Sequence, residues 1–434
     1  MQTRFDAIII GAGPAGSSAA ILLATAGWRV AVVEKQAFPR RKVCGECVAA
    51  SNLPLLEALG IGADFAAQAG PELKRVALMH GTRSVCADLP PAADTRHPWG
   101  RALGRETLDT LLLARAQAAG ATVLQPWSVQ KLSGAAGSHH CTVREEAGGR
   151  PKLLHAPVAI LAHGSWEPLP EERAVQRQAR SGSDLLAFKA NFSGSHLAEG
   201  LLPVLAFDGG YGGMVLGDGG LLTLACCIRA DRLEALRQAA PGRPAGDVVE
   251  DMLKHHCQGV AEALEGAVRC GNWLASGPLR PGVRLCDDDE VFRIGNAAGE
   301  AHPIIGEGMS MALQSAWLLC SHLEAARPRR GAGELALWQR QARQRYSAEW
   351  RRHFAPRLRM AAALAHLAMR PLGATALMAT VQRFPSLLTR GAIWSGKTSG
   401  IADGNTLGVG LQRLPQTRAS LPALHSPPLP GERP

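Results

Sequence analysis

The chain has 434 residues, 46% of them hydrophobic, which is enough to bury a large core and, at about 100–200 residues per domain, to build two or three units; global disorder is excluded. Forty-seven basic against 37 acidic residues leave a formal charge of +10, a field that attracts nucleotides, phosphorylated compounds and anionic lipid surfaces. The basic residues are scattered and follow no zinc-finger or aromatic-interleaved pattern, which speaks against nucleic acid as a partner.

In chain order, Phe5 to Ile10 reads as a buried strand, Pro14 to Ala26 as an alanine-rich helix and Arg29 to Glu34 as a second strand of β-branched residues, together a βαβ unit. Apolar runs on either side of Gly81 predict a hairpin over Arg75 to Leu89. Glu106 to Ala119 follows as a helix, then strands at Thr122 to Leu124 and Val158 to Ala162. From Asp184 to Arg229 the texture turns to β-like runs broken by glycine pairs, predicting an antiparallel sheet. Val291 to Gly295 returns to a short strand, and Gly308 to Leu323 is a helix opening on a glycine-rich turn. Residues 338 to 390 mix ten arginines with apolar stretches that are interrupted too often to span a bilayer. They read as a basic helical cap packed on the rest, or as a peripheral contact with a membrane surface. The proline-rich stretch beyond Gly404 predicts a disordered tail. Ten dispersed cysteines suit reduced thiols, and the apolar run at the N-terminus is too short for an export signal, so the expectation is cytoplasmic, with possible residence at the inner face of a membrane.

The first chemical signal is Gly11-Ala12-Gly13-Pro14-Ala15-Gly16. Gly11 permits a tight turn, Gly13 lets backbone approach a pyrophosphate, and Gly16 lets helix pack on strand. The helix beginning at Pro14 and Ala15 points free N–H groups and a positive dipole end at the phosphates. Glu34, followed by Lys35, ends the second strand where a carboxylate can accept from both ribose hydroxyls. This signature leaves NAD and FAD open.

The segment Gly295-Asn296-Ala297-Ala298-Gly299-Glu300-Ala301-His302-Pro303-Ile304-Ile305-Gly306-Glu307-Gly308-Met309 closes that choice. It resembles the second flavin motif of the p-hydroxybenzoate-hydroxylase-like flavoproteins, particularly the geranylgeranyl reductase family, whose form is Gly-Asp-Ala-Ala-Gly, a proline, then Gly-Glu-Gly. The resemblance implies FAD, with small residues admitting the ribityl chain and a helix N-terminus meeting the pyrimidine side of the ring. Asn296 stands where the family carries aspartate, keeping an acceptor oxygen but losing charge, so weaker FAD binding is expected. Arg105-Glu106-Thr107-Leu108-Asp109 resembles the family's Arg-x-x-Leu-Asp helix, whose arginine reaches the cofactor.

Two further segments complete the resemblance. Lys42-Val43-Cys44-Gly45 matches the Lys-x-Cys-Gly loop near the isoalloxazine ring, making Lys42, Cys44 and Gly45 cofactor contacts and Cys44 a candidate catalytic residue. Cys44 and Cys47 form a C-x-x-C pair, open to a redox or metal reading, but no second pair at zinc-like spacing exists and no metal is expected. Gly209-Gly210-Tyr211 resembles the strand bordering the reductases' substrate cavity, making Tyr211 the second catalytic candidate. Ala162-His163-Gly164 departs from the Ala-Asp-Gly turn of aromatic hydroxylases.

The expected fold is α/β: a Rossmann-type three-layer FAD-binding unit from residues 1–180 and 281–335, an inserted antiparallel-sheet substrate unit from 181–280 with a contribution from about 70–100, a helical cap at 336–403, and the tail at 404–434. The implied activity is hydride transfer from reduced flavin to an unsaturated apolar small molecule. NAD(P)H would be a transient donor, since no separate glycine fingerprint marks a domain for it. Two alternatives stay open: a monooxygenase hydroxylating an aromatic, polyketide-like or carrier- or peptide-bound substrate, and a non-catalytic escort descended from such enzymes. A halogenase is disfavoured because the nine tryptophans contain no Trp-x-Trp pair.

Overall fold

In the computed structural model, which describes residues 3–164, 181–286, 289–325 and 332–401, a five-stranded sheet runs in the order Phe292–Arg293, Val158–Leu161, Ala7–Ile10, Val30–Val33, Thr122–Leu124. All its pairings are parallel. Parallel sheets need cover on both faces, and the unbroken apolar runs of these strands supply it. Ala7, Ile9, Val30, Val32, Val158 and Ile160 pack under helices α1 (Pro14–Thr25), α2 (Arg105–Ala118) and α3 (Gly308–Ala325). Their alternates Ile8, Ile10, Ala31, Val33 and Leu161 face Trp127, Cys141, Val143 and Leu154. Those residues belong to an antiparallel layer of Trp127–Ala135, Ser138–Glu145 and Lys152–Ala156, which the sequence reading did not anticipate.

The inserted sheet has eight strands built around Leu185–Ser193, Leu222–Arg229, Gly210–Leu216 and Leu201–Phe207. It is antiparallel as expected, with one exception. The hairpin Arg75–His80 and Arg83–Asp88 joins it through a parallel pairing of Arg75–His80 with Leu201–Phe207. Phe188, Phe192, Phe207, Met214 and Leu224 look one way, onto the helices between 230 and 263. Leu185, Ala187, Ala206, Tyr211 and Cys227 look the other way.

That second face is covered by the C-terminal helices α4 (Ala332–Ala368), α5 (Pro371–Arg383) and α6 (Ser386–Trp394). Several arginines of the expected basic cap turn inward. Arg343 is buried over the Phe292 ring, Arg351 donates to the Leu285 carbonyl, and Arg357 pairs with Glu307. Among the described residues, no helix is long and apolar enough to cross a membrane. The expected disordered tail, 404–434, lies outside the described residues.

Candidate cofactor and active site

The two glycine motifs, far apart in sequence, meet in space. Gly11 has φ +102°, and a Cβ there would stand 2.8 Å from the Ala162 carbonyl oxygen; at Gly16 a Cβ would overlap the Gly11 carbonyl. Only glycine serves at either place. Gly295 lies with the Ala15 methyl 3.0 Å from where its own Cβ would be, so the second motif rests on the first turn of α1. The Gly295 amide donates to Ser315 Oγ on α3 (2.9 Å). No side chain caps α1 at Gly13, leaving its N-terminal field open to an anion.

Arg105 is the cation beside that opening. Its guanidinium lies 3.6 Å from where a Gly13 Cβ would be, and it grips Asp109 with two 2.7 Å bonds. Burial opposes its charge, but the Asp109 carboxylate and then Cys44 hold it protonated above its ordinary range. Glu34 is buried at the end of its strand and accepts from the amides of Ala12 (2.8 Å) and Gln36 (2.9 Å). Arg40, absent from the sequence reading, is buried 3.7 Å from both Glu34 and Asp109. Lys35 is exposed just beyond.

The Lys42–Gly45 loop runs past the same junction. The Lys42 ammonium lies against Gly164, Cys44 Sγ accepts from the Glu46 amide (3.3 Å), and open space adjoins Gly45. What anchors the loop is Glu46, which sequence reasoning passed over. It has φ +57°, a backbone conformation that costs a non-glycine residue about 1–2 kcal/mol. Its buried carboxylate pairs with Lys189 on one sheet strand, accepts from Thr223 Oγ1 on the next (2.6 Å) and receives the Arg105 amide (2.8 Å). The available signal was Lys189 itself, a charge inside the apolar run Leu185-Leu186-Ala187-Phe188, which must find a partner if that strand is buried.

The second motif continues into His302, Pro303, Gly306 and Glu307. Glu307 is buried, 3.2 Å from Arg357 and 4.0 Å from Lys397; burial pushes its carboxyl upward against both cations. Gly308 borders open space at the start of α3, with Met309 buried behind it. Asn296 is half-buried, its carbonyl held by Arg284 (3.0 Å), and Ala297 and Ala298 are packed inside. Tyr211 is buried beneath α4 and α5, its hydroxyl 3.1 Å from His302 Nδ1. The two rings stand 6.2 Å apart, and the His302 ring lies 5.8 Å from that of His366, which reaches solvent. Burial, then His366, lowers His302 to about 4, so it is neutral near pH 7; burial raises the Tyr211 hydroxyl well above 10. Neither histidine was singled out in sequence. Burial also raises the Cys47 thiol, against the pull of Lys397.

These residues fit an adenine dinucleotide: a cradle that any Cβ would fill, an uncapped helix N-terminus, a fixed cation beside it, and open backbone at Gly45 and Gly308. Arg105, Gly13 and the α1 amides would hold the pyrophosphate, Glu34 the ribose, and the Gly295–Met309 segment the flavin end.

Comparison with known proteins agrees. Residues 4–217 match the family model described as FAD binding domain. The chain is 24% identical over 349 residues to Conditioned medium factor receptor 1 of Dictyostelium discoideum, covering 73% of this chain and 62% of that protein. A shorter stretch of 61 residues is 46% identical to the menaquinone reductase of Mycolicibacterium smegmatis, 14% of this chain and 15% of that one. The chain spans less than two thirds of the length of these curated relatives. Among solved structures it resembles the myxobacterial chondrochloren halogenase, TM-score 0.70 at 18% identity over 96% of this chain and 98% of that one. It also resembles a geranylgeranyl bacteriochlorophyll reductase-like protein of Thermoplasma acidophilum, TM-score 0.63 at 16% identity over 95% and 96% of the two chains. The fold is thus that of the p-hydroxybenzoate-hydroxylase-like flavoproteins, shared by halogenases and reductases alike, and the geranylgeranyl reductase likeness is one branch among several. Residues 4–217 thus form an FAD binding domain, set in a fold that flavin-dependent halogenases and reductases share.

Proposed function

We propose that this chain is a geranylgeranyl-reductase-like enzyme that reduces an unsaturated, largely apolar or aromatic small molecule, with NAD(P)H as the transient donor. One observation carries the reading: on the covered, largely hydrocarbon face of the inserted sheet a phenol, Tyr211, with the Cys227 thiol beside it, meets the neutral imidazole of His302 from the second flavin motif. Tyr211 lies among Leu78, Leu185, Ala206, Met369 and Met378, and its hydroxyl meets His302 at the second flavin motif. Adaptable methionines suit an oily substrate, which would enter by parting α4 and α5 from the sheet.

Bound FAD supplies the two-electron reductant. The chain's own residues supply proton and position. Tyr211 Oη and His302 Nδ1, 3.1 Å apart, can share a proton, and the exposed His366 ring packs edge-on against His302 on the solvent side. Cys44 presents its sulfur beside Arg105 at the cofactor junction, a contact residue in a loop fixed by Glu46. The local likeness to menaquinone reductase, a quinone-reducing enzyme by its name, supports the same chemistry.

A monooxygenase is the second reading, favoured by likeness to a probable FAD-dependent monooxygenase of Pseudomonas aeruginosa, TM-score 0.62. Reoxidation of the reduced, flavin-loaded protein separates the two. Turnover of polyprenyl quinones or prenyl alkenes without oxygen, with product gaining two hydrogens, is expected; oxygen incorporation into product would overturn the reductase. Protein that stays colourless after reconstitution with FAD would overturn both.

A further inference from the structure

The C-terminal helices have an outer surface that the fold does not use. Their inner faces are spent on the sheet: Ala374, Met378 and Val381 of α5 are buried there, and Thr389 of α6 donates to the Asp88 carbonyl (2.8 Å). On the outside, Leu372 is 87% exposed, Phe384 53%, Ile393 43% and Trp394 64%. A scattered exposed leucine needs no explanation, but these are four of the eight large exposed apolar side chains among the described residues, concentrated within 23 consecutive positions.

The charge around them is one-sided. From Trp350 to Ala402 the sequence contains no aspartate or glutamate, while carrying seven arginines and one lysine. Three cations turn inward, Arg351, Arg357 and Lys397. Arg370 and Arg383 at the two ends of α5 and Arg390 in the middle of α6 are exposed and form no ion pair among the described residues; Arg383 stacks on Phe384. A protein partner with a complementary groove would call for a continuous ridge on this side. What α5 and α6 offer instead is separate apolar side chains at helix ends, Trp394 among them, each beside an arginine. That pattern fits an interface in which apolar groups enter acyl chains and guanidinium groups meet phosphate.

We propose that the outer surface of α5 and α6 is a peripheral docking site for an anionic phospholipid bilayer, with Leu372, Phe384, Ile393 and Trp394 inserted and Arg370, Arg383 and Arg390 on the headgroups. The surface holds independently of which compound the enzyme reduces. Its consequence for the reading above is geometric: α5 also roofs the Tyr211 cluster, so the membrane would lie against the same helix that covers the substrate space.

The test is cosedimentation of the full FAD-loaded chain with vesicles of phosphatidylcholine alone and of phosphatidylcholine with about 30% phosphatidylglycerol. Binding to the anionic vesicles that weakens with salt is expected. The double variant Leu372→Asp/Trp394→Asp should lower the partition about tenfold or more, and Arg383→Glu/Arg390→Glu should abolish the anionic preference. These positions are exposed, so flavin content and melting temperature should match the parent, and anaerobic turnover of a short water-soluble substrate should persist in every variant. No binding to anionic vesicles, or binding unaffected by the apolar double variant, overturns the proposal. So does concentration-dependent dimerisation lost in that variant, which would assign the surface to a second copy of the chain.

Discussion

Replacing Lys189 by methionine tests how the Lys42–Gly45 loop is held. The Lys189 and Glu46 side chains are 3% and 4% exposed, so deleting the ammonium strands a carboxylate in the interior. Removing one partner of a buried pair costs about 3–5 kcal/mol. Two donors remain, the Thr223 hydroxyl and the Arg105 amide, which places the expected loss near the lower end, about 3 kcal/mol. In Glu46→Gln/Lys189→Met both charges are gone while the amide oxygen still accepts from the Arg105 amide and the NH2 can donate to Thr223 Oγ1, and the loss should fall to about 1 kcal/mol. Urea unfolding of the parent, Lys189→Met, Glu46→Gln and the double variant yields the coupling directly. FAD retention should follow the same order, because Glu46 carries the turn between Cys44 and Arg105. If single and double variants lose the same stability, the pair is not the anchor and the argument fails.

Other outcomes follow from the same geometry. Gly11→Ala and Gly16→Ala should each yield protein without flavin absorbance, since one Cβ meets the Ala162 carbonyl and the other overlaps Gly11; a yellow Gly16→Ala protein would refute the cradle. Asn296→Asp restores the carboxylate that the resemblance leads one to expect and should tighten FAD binding several-fold, measured by fluorescence titration; no change would show that residue 296 does not meet the ribityl chain. His302 is held neutral to about 4, whereas an unfolded chain protonates its histidine near 6.5. The unfolded state therefore takes up a proton that the folded state refuses, and stability falls as pH drops through that window, by about 3 kcal/mol at most. His139, lowered to about 4 mainly by burial, acts in the same direction, so His302→Gln should flatten the acid limb of a stability–pH curve without abolishing it. An unchanged limb would show that His302 titrates normally.

Local pattern was enough wherever function is carried by the backbone. The glycines of Gly11–Gly16 and Gly295–Gly308 are readable because close approach and turning demand a residue without a Cβ, and that demand is written at fixed spacing. The same holds for the apolar strands of the parallel sheet, whose composition answers to burial on both faces. Arg105 and Cys44 were readable through the order of their motifs, and the structure adds that they touch each other and the Gly13 turn.

Side-chain partnerships across long separations were not readable. Glu46 meets Lys189 and Thr223, Tyr211 meets His302, and Arg357 meets Glu307, each pair brought together only when three sheets and a helical cap have packed. No periodicity records such a pairing, because its cause is the low dielectric of an interior that forces every buried polar group to find whatever partner the tertiary fold brings within reach. The sequence by itself determined the two glycine turns, Gly11–Gly16 and Gly295–Gly308, whose tight backbone only glycine permits. Only the tertiary structure decided which acids, bases and cations surround them, and which face of the C-terminal helices was left for something else to cover.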